Sequence, residues 1–369
     1  MRELVLTEIG RLDVRDVPTP HPAAGEVLIR VAATGICGSD VHGYTGENGR
    51  RHPGQVMGHE SSGTIAALGP GVDGLAVGAP VTFNPVVVPA EDADAYAGRE
   101  QHHPGKYVIG VAPQIPASFA DYVRVPARNV VPLPEALPIE LGALIEPLAV
   151  AVHAVRRLPE ESLGRVLVIG GGPIGQSLII ALRDAGAGTI IVSEMDAARR
   201  ELVQKLGAEV IDPAAGVIAE QLRVRGGLAD AAIDAVGITP TVRDALTSTV
   251  LGAPIVLVGM GSPQVALDAF LVSTEERSLI GSFTYGSDDF AHAAQIIGDA
   301  PDVYRALISR EIDVVDADAA FASLAAGDGT PGKVLVRFDR ETGRENDGET
   351  GRENDGETGR ENDREGETR

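Results

Sequence analysis

A short apolar run followed by closely spaced glycines constrains this chain more than any other feature of its sequence. Residues 166–169 are Val-Leu-Val-Ile, as expected for a buried parallel strand. Three glycines follow on the G-x-G-x-x-G spacing, and residues 176–185 have the composition of a helix. Such glycines permit a tight turn, close approach of a pyrophosphate and close packing of helix on strand. The pattern predicts a dinucleotide-binding βαβ unit, with cofactor contacts at Gly170, Gly172, Pro173, Ile174 and Gly175.

A carboxylate follows the next predicted strand, residues 189–193. Glu194 comes about 20 residues after the glycines, where an acid accepts hydrogen bonds from the ribose hydroxyls of NAD. The same charge would repel the 2′-phosphate of NADP, so we predict that NAD is preferred. Arg199 and Arg200 follow closely and would weaken that preference, and Arg199 is a predicted cofactor contact. The alternative for Glu194 is a solvated loop acid.

Length, charge and cysteine content limit the class of protein. The chain has 369 residues, which favours two domains. A formal net charge of −22 argues against binding to nucleic acid or to an anionic membrane surface. The single cysteine excludes an internal disulfide. Without a signal peptide or an apolar run of membrane-spanning length, we expect a cytoplasmic protein with a small-molecule partner.

Polar residues cluster around the only cysteine. Residues 37–42 are Cys-Gly-Ser-Asp-Val-His, and His59 and Glu60 come shortly afterwards. Glu146 lies in the apolar stretch Leu-Ile-Glu-Pro-Leu, where a lone buried acid is costly unless it is paired or bound to metal. Thiolate, imidazole and carboxylate are the ligands of an open catalytic zinc site. For Cys37 by itself, an inert buried residue is the alternative.

Together these motifs resemble those of the zinc-dependent medium-chain alcohol and polyol dehydrogenases, particularly the sorbitol and butanediol dehydrogenase branch. The matching stretches are residues 37–42, 58–60, 142–150 and 170–175, and the similarity spans about residues 1–338. The resemblance implies an α/β fold, in which a doubly wound Rossmann sheet accompanies a GroES-like β-rich catalytic domain. The catalytic domain would comprise residues 1–150 with a return segment at 285–338, and the Rossmann NAD-binding domain residues 151–284. A homodimer or homotetramer is expected.

The resemblance also implies the chemistry, which is hydride transfer between a secondary alcohol and NAD. Zinc held by Cys37, His59 and one glutamate would lower the pKa of the alcohol. Ser39 would take the alcohol proton and pass it, through the cofactor ribose, to His42 at the solvent. A neighbouring acid, Asp40, would orient the imidazole ligand.

Two glutamates compete for the third ligand position. Two inner-sphere carboxylates together with a thiolate would leave the zinc centre net negative and weaken its acidity. The resemblance favours Glu60 as the ligand and Glu146 beside the bound water, but the sequence does not decide which of the two glutamates is the third zinc ligand. Lys333, in a stretch that resembles the final strand of the family, is expected near the cofactor; a surface lysine is the alternative.

The chain departs from the family pattern in one segment. Residues 84–118, here called the cysteine-free lobe, occupy the place where many members hold a structural zinc with four cysteines. We therefore expect one catalytic zinc and no structural zinc. His102 and His103 are interpreted as solvated loop residues rather than ligands.

The expected substrate is a small secondary alcohol. Thr284 occupies the position, directly before Tyr285, where sorbitol dehydrogenases carry the arginine that binds the polyol. A threonine cannot supply the several donors of a guanidinium. Tyr44 and Phe119 are expected to make the pocket partly apolar. These features favour a vicinal diol such as a butanediol over a hexitol. The alternative is that other residues replace the arginine and a polyol remains the substrate.

Two other functions are compatible with parts of the sequence. A zinc-free quinone or enoyl reductase would share the fold but lack the metal donors, and a non-catalytic nucleotide-binding protein would keep the fold alone. The donor set and the Ser39 and His42 pair argue against both. At the C-terminus, residues 339–369 repeat Glu-Thr-Gly-Arg-Glu-Asn-Asp without a hydrophobic residue, which predicts a disordered tail.

Overall fold

The computed structural model describes residues 1–47, 49, 51–115 and 117–339. The predicted disordered tail lies outside these residues, apart from Asp339. Two large sheets organise the described chain, one mainly antiparallel and one parallel.

The mainly antiparallel sheet is built from both ends of the chain. Its central strand, β3, pairs antiparallel with β5, β9 and β18, and the order of the main path is β10-β6-β5-β3-β18-β17. Smaller sheets, β2-β1-β4 and β7-β8, flank it. The strands are β1 (Arg2–Glu8), β2 (Arg11–Asp16), β3 (Glu26–Gly35), β4 (Gln55–Val56), β5 (Glu60–Leu68), β6 (Pro80–Phe83), β7 (Val86–Val87), β8 (Tyr107–Val108), β9 (Tyr122–Pro126), β10 (Val130–Pro132), and from the far end β17 (Ile308–Asp313) and β18 (Lys333–Arg337).

The parallel sheet has six strands in the order β13-β12-β11-β14-β15-β16. They are β11 (Arg165–Ile169), β12 (Thr189–Ser193), β13 (Glu209–Ile211), β14 (Ala231–Asp234), β15 (Pro254–Leu257) and β16 (Ser278–Gly281). This is the doubly wound Rossmann order, in which the direction of winding reverses between β11 and β14. The glycine-rich turn follows β11 and therefore lies at the switch point, where ligands bind in open α/β sheets.

Helices pack against both the antiparallel part and the parallel sheet. They are α1 (Gly38–Tyr44), α2 (Ile145–Arg156), α3 (Pro173–Asp184), α4 (Ala197–Lys205), α5 (Ile218–Arg223), α6 (Thr239–Thr247), α7 (Ala269–Ser273), α8 (Ser287–Asp299), α9 (Pro301–Arg305) and α10 (Ala317–Ala325). Helix α3 begins at Pro173, earlier than the predicted residue 176, because proline suits the first helical position and Gly172 adopts the extended cap conformation. One continuous core joins α2 and α8 to the parallel strands.

Candidate active site and cofactor cleft

Three donor side chains meet where α1 and β5 begin. Cys37 caps the N-terminus of α1, and Glu60 opens β5 directly after His59. One ligand atom from each of the three lies within 4.8 Å of the others. Two glycines are required here, because Gly58, directly before His59, has a φ of +99° and a Cβ on Gly35 would lie 2.3 Å from Glu60 Oε2. The predicted donors Cys37, His59 and Glu60 are thus adjacent in space.

The charges around His59 favour a cation. Burial lowers the pKa of His59, but the negative charges of Asp40 and Cys37 outweigh burial and raise it to about 10. His59 Nδ1 lies 3.7 Å from Asp40 Oδ1 and has no hydrogen-bond partner among the described residues. A field that holds a proton this strongly also attracts a divalent cation, and one sulfur, one nitrogen and one oxygen donor suit zinc. The residues present therefore fit the metal.

Glu146 approaches the donors from the first turn of α2. Its Oε1 accepts a 2.7 Å hydrogen bond from Tyr285 Oη. Burial raises the pKa of Glu146 and Glu60 adds to the rise, whereas His59 and Tyr285 oppose it, so that the pKa is about 7. Burial, reinforced by Glu146, raises the pKa of Tyr285 well above 10, so the phenol stays protonated and donates. Sequence analysis mentioned Tyr285 only as the residue after Thr284. Its place directly after the arginine position of the sorbitol dehydrogenases was the signal that it belongs to the site.

Lys333 forms a buried ion pair with Glu60. Its Nζ lies 2.7 Å from Oε1 and 2.6 Å from Oε2, and its side chain is 4% exposed, so the alternative of a surface lysine is wrong. Burial lowers the pKa of Lys333, but the charges of Glu60 and Cys37 raise it overall. Lys333 also lines a small cavity with Pro173 and Gln176 of α3, next to the glycine-rich turn.

The sequence did not identify Arg51 as a site residue. Arg51 Nη2 lies 3.4 Å from Asp40 Oδ1, and both side chains are completely buried. The arginine stem passes over Gly43, where a Cβ would lie 2.2 Å from Arg51 Cγ. Arg51 therefore balances the charge of Asp40 and fixes it beside His59. It belongs to no recognisable motif, so only the tertiary structure identifies it.

Ser39 and His42 lie on α1 beyond the cysteine. Ser39 is partly buried, and His42 is exposed with its Nδ1 2.7 Å from Glu47 Oε2. An exposed imidazole can exchange a proton with solvent, as the predicted relay requires.

The glycine-rich turn and Glu194 form one hydrogen-bonded unit. The Gly171 N–H donates to Glu194 Oε2 (2.7 Å), and the Asp196 N–H donates to Oε1 (2.8 Å). Glu194 is buried, so the alternative of a solvated loop acid is wrong. A Cβ on Gly175 would lie 1.9 Å from Gly170 O, and this close approach explains the need for glycine. Each Glu194 oxygen retains a lone pair for a ribose hydroxyl.

The guanidinium groups of the two arginines after Glu194 point to different parts of the structure. A Cβ on Gly172 would lie 3.8 Å from Arg199 Nη1, which places this guanidinium beside the glycine-rich turn. Arg200 instead donates to the carbonyl groups of Glu194 and Met195 and pairs with Asp212. Of the two, only Arg199 faces the predicted cofactor position.

The predicted role of Tyr44 and Phe119 in the pocket is wrong. Both rings are buried and pack against Phe321 of α10 at centroid distances of 5.5 and 5.6 Å. Tyr44 Oη donates to Asp318 Oδ1 (3.3 Å). These rings fill the core of the antiparallel part because α10 returns from the far end of the chain to cover it.

The interpretation of His103 as a solvated loop residue is also wrong. Its ring is buried, and its Nε2 lies 3.0 Å from Asp92 Oδ2. The Gly105 N–H donates to Nδ1 (2.9 Å), so the proton on Nε2 donates to Asp92. His103 organises the cysteine-free lobe, while His102 is exposed as predicted. In the described part of the chain, the donors at Cys37, His59 and Glu60 form the one group suited to a metal ion.

The fold and site together define a class. A metal-donor cluster in a β-rich domain, beside a doubly wound dinucleotide sheet, is the arrangement of a zinc-dependent dehydrogenase. Residues 23–135 match the family described as the alcohol dehydrogenase GroES-like domain, and residues 173–299 match the zinc-binding dehydrogenase family. The chain belongs to the zinc-dependent medium-chain dehydrogenase family.

Individual relatives extend over nearly the whole chain. The 2-dehydro-3-deoxy-L-galactonate 5-dehydrogenase of Pseudoalteromonas atlantica is 32% identical over 87% of this chain and 94% of its own. The 2R,3R-butanediol dehydrogenase structure from Bacillus subtilis is 27% identical, with a TM-score of 0.82 over 91% and 99% of the two chains. A structure described as a zinc-binding dehydrogenase from Sinorhizobium meliloti 1021, bound to NADP, is 30% identical, with a TM-score of 0.82 over 91% and 98%.

These similarities confirm the GroES-like and Rossmann architecture and identify the protein as an oxidoreductase that acts on secondary alcohols. They also confirm a nicotinamide dinucleotide as the cofactor class. None of the described helices is long and apolar enough to cross a membrane.

Proposed function

We propose that this protein oxidises a small vicinal diol to a hydroxyketone, with NAD as the hydride acceptor and one catalytic zinc per chain. The observation that carries the proposal is the convergence of Cys37, His59 and Glu60, with Glu146 beside them. Residues 1–150 and 285–338 would form the catalytic domain and residues 151–284 the NAD-binding domain.

The ligand assignment follows from the partners of the two glutamates. Glu60 is grouped with Cys37 and His59, and its charge is balanced by Lys333. Glu146 is held by Tyr285 instead, and its pKa of about 7 lets it gain or lose a proton near neutral pH. We therefore assign Glu60 as the third protein ligand and Glu146 to the reacting side of the centre.

The chain's own residues would handle the proton. When bound, zinc supplies Lewis-acid polarisation of the alcohol oxygen, and the nicotinamide accepts hydride. Ser39 Oγ would accept the hydroxyl proton, and exposed His42 would release it to solvent. Asp40, paired with Arg51, lies 3.7 Å from His59 Nδ1 and would orient the ring, as outer partners of metal-bound histidines do.

The preference for NAD rests on Glu194. Its buried carboxylate lies at the end of β12, hydrogen-bonded to the glycine-rich turn. A 2′-phosphate placed there would meet a like charge, whereas free ribose hydroxyls would donate to it. Arg199 provides an opposing positive charge at the phosphates, so we expect a preference rather than exclusion.

The preference for a small diol rests on Thr284. Its Oγ1 is buried and, like Ser282 Oγ two residues earlier, has no hydrogen-bond partner in the described part of the chain. Both follow β16, at the end of the sheet where ligands bind. Two hydroxyls can satisfy the second hydroxyl group of a diol. They provide fewer hydrogen-bond donors than a guanidinium would offer to a hexitol. Each buried substrate hydroxyl left without a hydrogen-bond partner costs about 1–3 kcal/mol.

Steady-state kinetics with 2,3-butanediol and sorbitol, each with NAD, test the substrate. We expect a higher kcat/KM for the diol. Thr284→Arg should move the ratio toward sorbitol by restoring the donors, and exposed Thr274→Arg serves as the control. A higher kcat/KM of the wild type for sorbitol would overturn the argument from Thr284.

We also propose self-association through the edge of the parallel sheet. Strand β16 ends the sheet, and its outer edge has no strand partner among the described residues. The adjoining segment exposes large apolar side chains, including Leu251, Met260, Phe270 and Phe283. An open edge beside exposed apolar residues favours pairing with a second copy, which supports a homodimer or homotetramer.

A further inference from the structure

Residues 282–287, which follow β16 and are here called the corner, have an unfavourable backbone conformation at Thr284. Thr284 has a φ of +50°, in the left-handed region that β-branched residues avoid. Such a conformation persists only where surrounding contacts impose it, and it is often found at ligand sites. The contacts made by the next three residues therefore show what holds Thr284 in place.

Two of these contacts come from the helices beneath the corner. Tyr285 Oη donates to Glu146 Oε1, and the Gly286 N–H donates to Asp289 Oδ2 (3.0 Å). They fix the C-terminal side of Thr284 to α2 and to the first turn of α8.

The other contacts come from the cysteine-free lobe. Glu100 Oε2 accepts from the Ser287 N–H (2.9 Å), while Oε1 accepts from the Gly98 N–H (3.2 Å). Ser287 Oγ also accepts from the Gly98 N–H (3.2 Å). The backbones pack directly, since a Cβ on Gly286 would lie 2.3 Å from Gly98 O. The Glu100 carboxylate thus bridges the lobe and the corner, beside the Ser287 hydroxyl and the packing of Gly98 on Gly286.

The lobe has its own internal support. The ring of Tyr96 meets His103 edge-on at 4.5 Å, and the Arg99 guanidinium lies 5.2 Å from the centre of the Tyr96 ring. With the bond from His103 to Asp92, these contacts stabilise the segment that presents Gly98 and Glu100.

We propose that the cysteine-free lobe acts as a clamp on the substrate-binding corner, and that Glu100 is the positioning residue that keeps Thr284 in its strained conformation. This inference rests on the proposed function, in which Thr284 faces the second hydroxyl of the diol. Glu100 acts through Ser287 and does not touch the substrate. Loss of the clamp lets Thr284 relax, which weakens diol binding without changing the metal centre.

The test compares Glu100→Gln and Glu100→Ala with Glu91→Gln and Glu91→Ala. Glu91 is an exposed acid in the same lobe, so its variants reproduce the charge change without the contact. Glutamine keeps the shape of Glu100 but provides only one acceptor oxygen. We expect Glu100→Ala to raise the KM for 2,3-butanediol about tenfold. We expect kcat and zinc content to change little, Glu100→Gln to be intermediate, and the Glu91 variants to resemble the wild type.

Amide hydrogen exchange over residues 282–286 provides a readout independent of substrate. We expect these amides to exchange faster in the Glu100 variants and at the wild-type rate in the Glu91 variants. Unchanged exchange at residues 282–286, or an equal effect of the Glu91 variants, would overturn the clamp. If the wild-type enzyme oxidises no diol, the proposed function fails, and the exchange data alone still decide whether Glu100 holds the corner.

Discussion

At the scale of single residues, the metal site depends on charges that are balanced in pairs. Lys333 balances Glu60, and Arg51 balances Asp40. Each pair is buried, so removal of one partner would leave an uncompensated charge, which is far more costly than loss of an exposed pair. The two ion pairs therefore fix Glu60 within the donor cluster and Asp40 beside His59.

Cys37→Ser should abolish zinc binding and activity while leaving most of the fold intact, because a hydroxyl is a far poorer zinc ligand than a thiolate. Elemental analysis should find about one zinc per wild-type chain and little in the variant. Circular dichroism provides the control for folding. Two zinc ions per wild-type chain would contradict the absence of a structural site in the cysteine-free lobe.

Glu194→Ala should shift cofactor selectivity toward NADP, because the variant removes the like charge that faces the 2′-phosphate. We expect the ratio of kcat/KM for NADP to that for NAD to rise on the order of tenfold. Glu209→Ala, which removes an exposed acid on β13, should leave the ratio unchanged. Comparable kcat/KM values for both cofactors in the wild type would contradict the assigned role of Glu194.

At the scale of elements, Asp289 connects the two helices that support the substrate corner. Its oxygens lie 2.8 Å from His153 Nδ1 and 2.6 Å from Arg156 Nη1, both on α2, and it also accepts from the Gly286 N–H. Burial raises the pKa of Asp289, but the hydrogen bonds from His153 and Gly286 outweigh burial and lower it overall. The ionised carboxylate therefore stabilises the folded state.

Asp289→Asn should lower the free energy of unfolding by about 1–3 kcal/mol at pH 7. A folded pKa below the unfolded value of about 3.9 means that the stabilisation is complete above that value and is lost as pH falls through the folded pKa. In denaturant unfolding, the difference in free energy of unfolding between wild type and variant should therefore become smaller below about pH 4. Asp302→Asn, at an exposed position on α9, is the control. A gap that stays constant down to pH 3 would count against this role.

At the scale of the whole molecule, the open edge of the parallel sheet governs assembly. Phe270 lies on α7, which leads into β16, and is 74% exposed. Phe270→Glu should reduce the molar mass measured by light scattering toward that of a monomer, because burial of the introduced charge in an interface is unfavourable. Val224→Glu, at an exposed apolar position near the opposite edge, should not change it. A monomeric wild type would show that the edge is not an interface.

Local sequence patterns determined the elements and the identity of the donors. The predicted strand at residues 189–193 agrees with β12, because an apolar β-branched run between turns has few alternatives. The donors Cys37, His59 and Glu60 were recognisable because their residue types suit one metal, and the glycine spacing suits one class of ligand. Helix starts were less certain, since caps and prolines shift them by a few residues.

Only the tertiary structure decided which residues support the site. Lys333 meets Glu60 across 273 residues of sequence, and Tyr285 meets Glu146 across 139. Arg51, Glu100 and the buried position of His103 belong to no periodic or spaced motif. Likewise, Tyr44 and Phe119 entered the core because a distant helix covers them. Periodicity and spacing report each segment's own conformation, whereas contacts between distant segments depend on how the sheets close and which backbones approach each other.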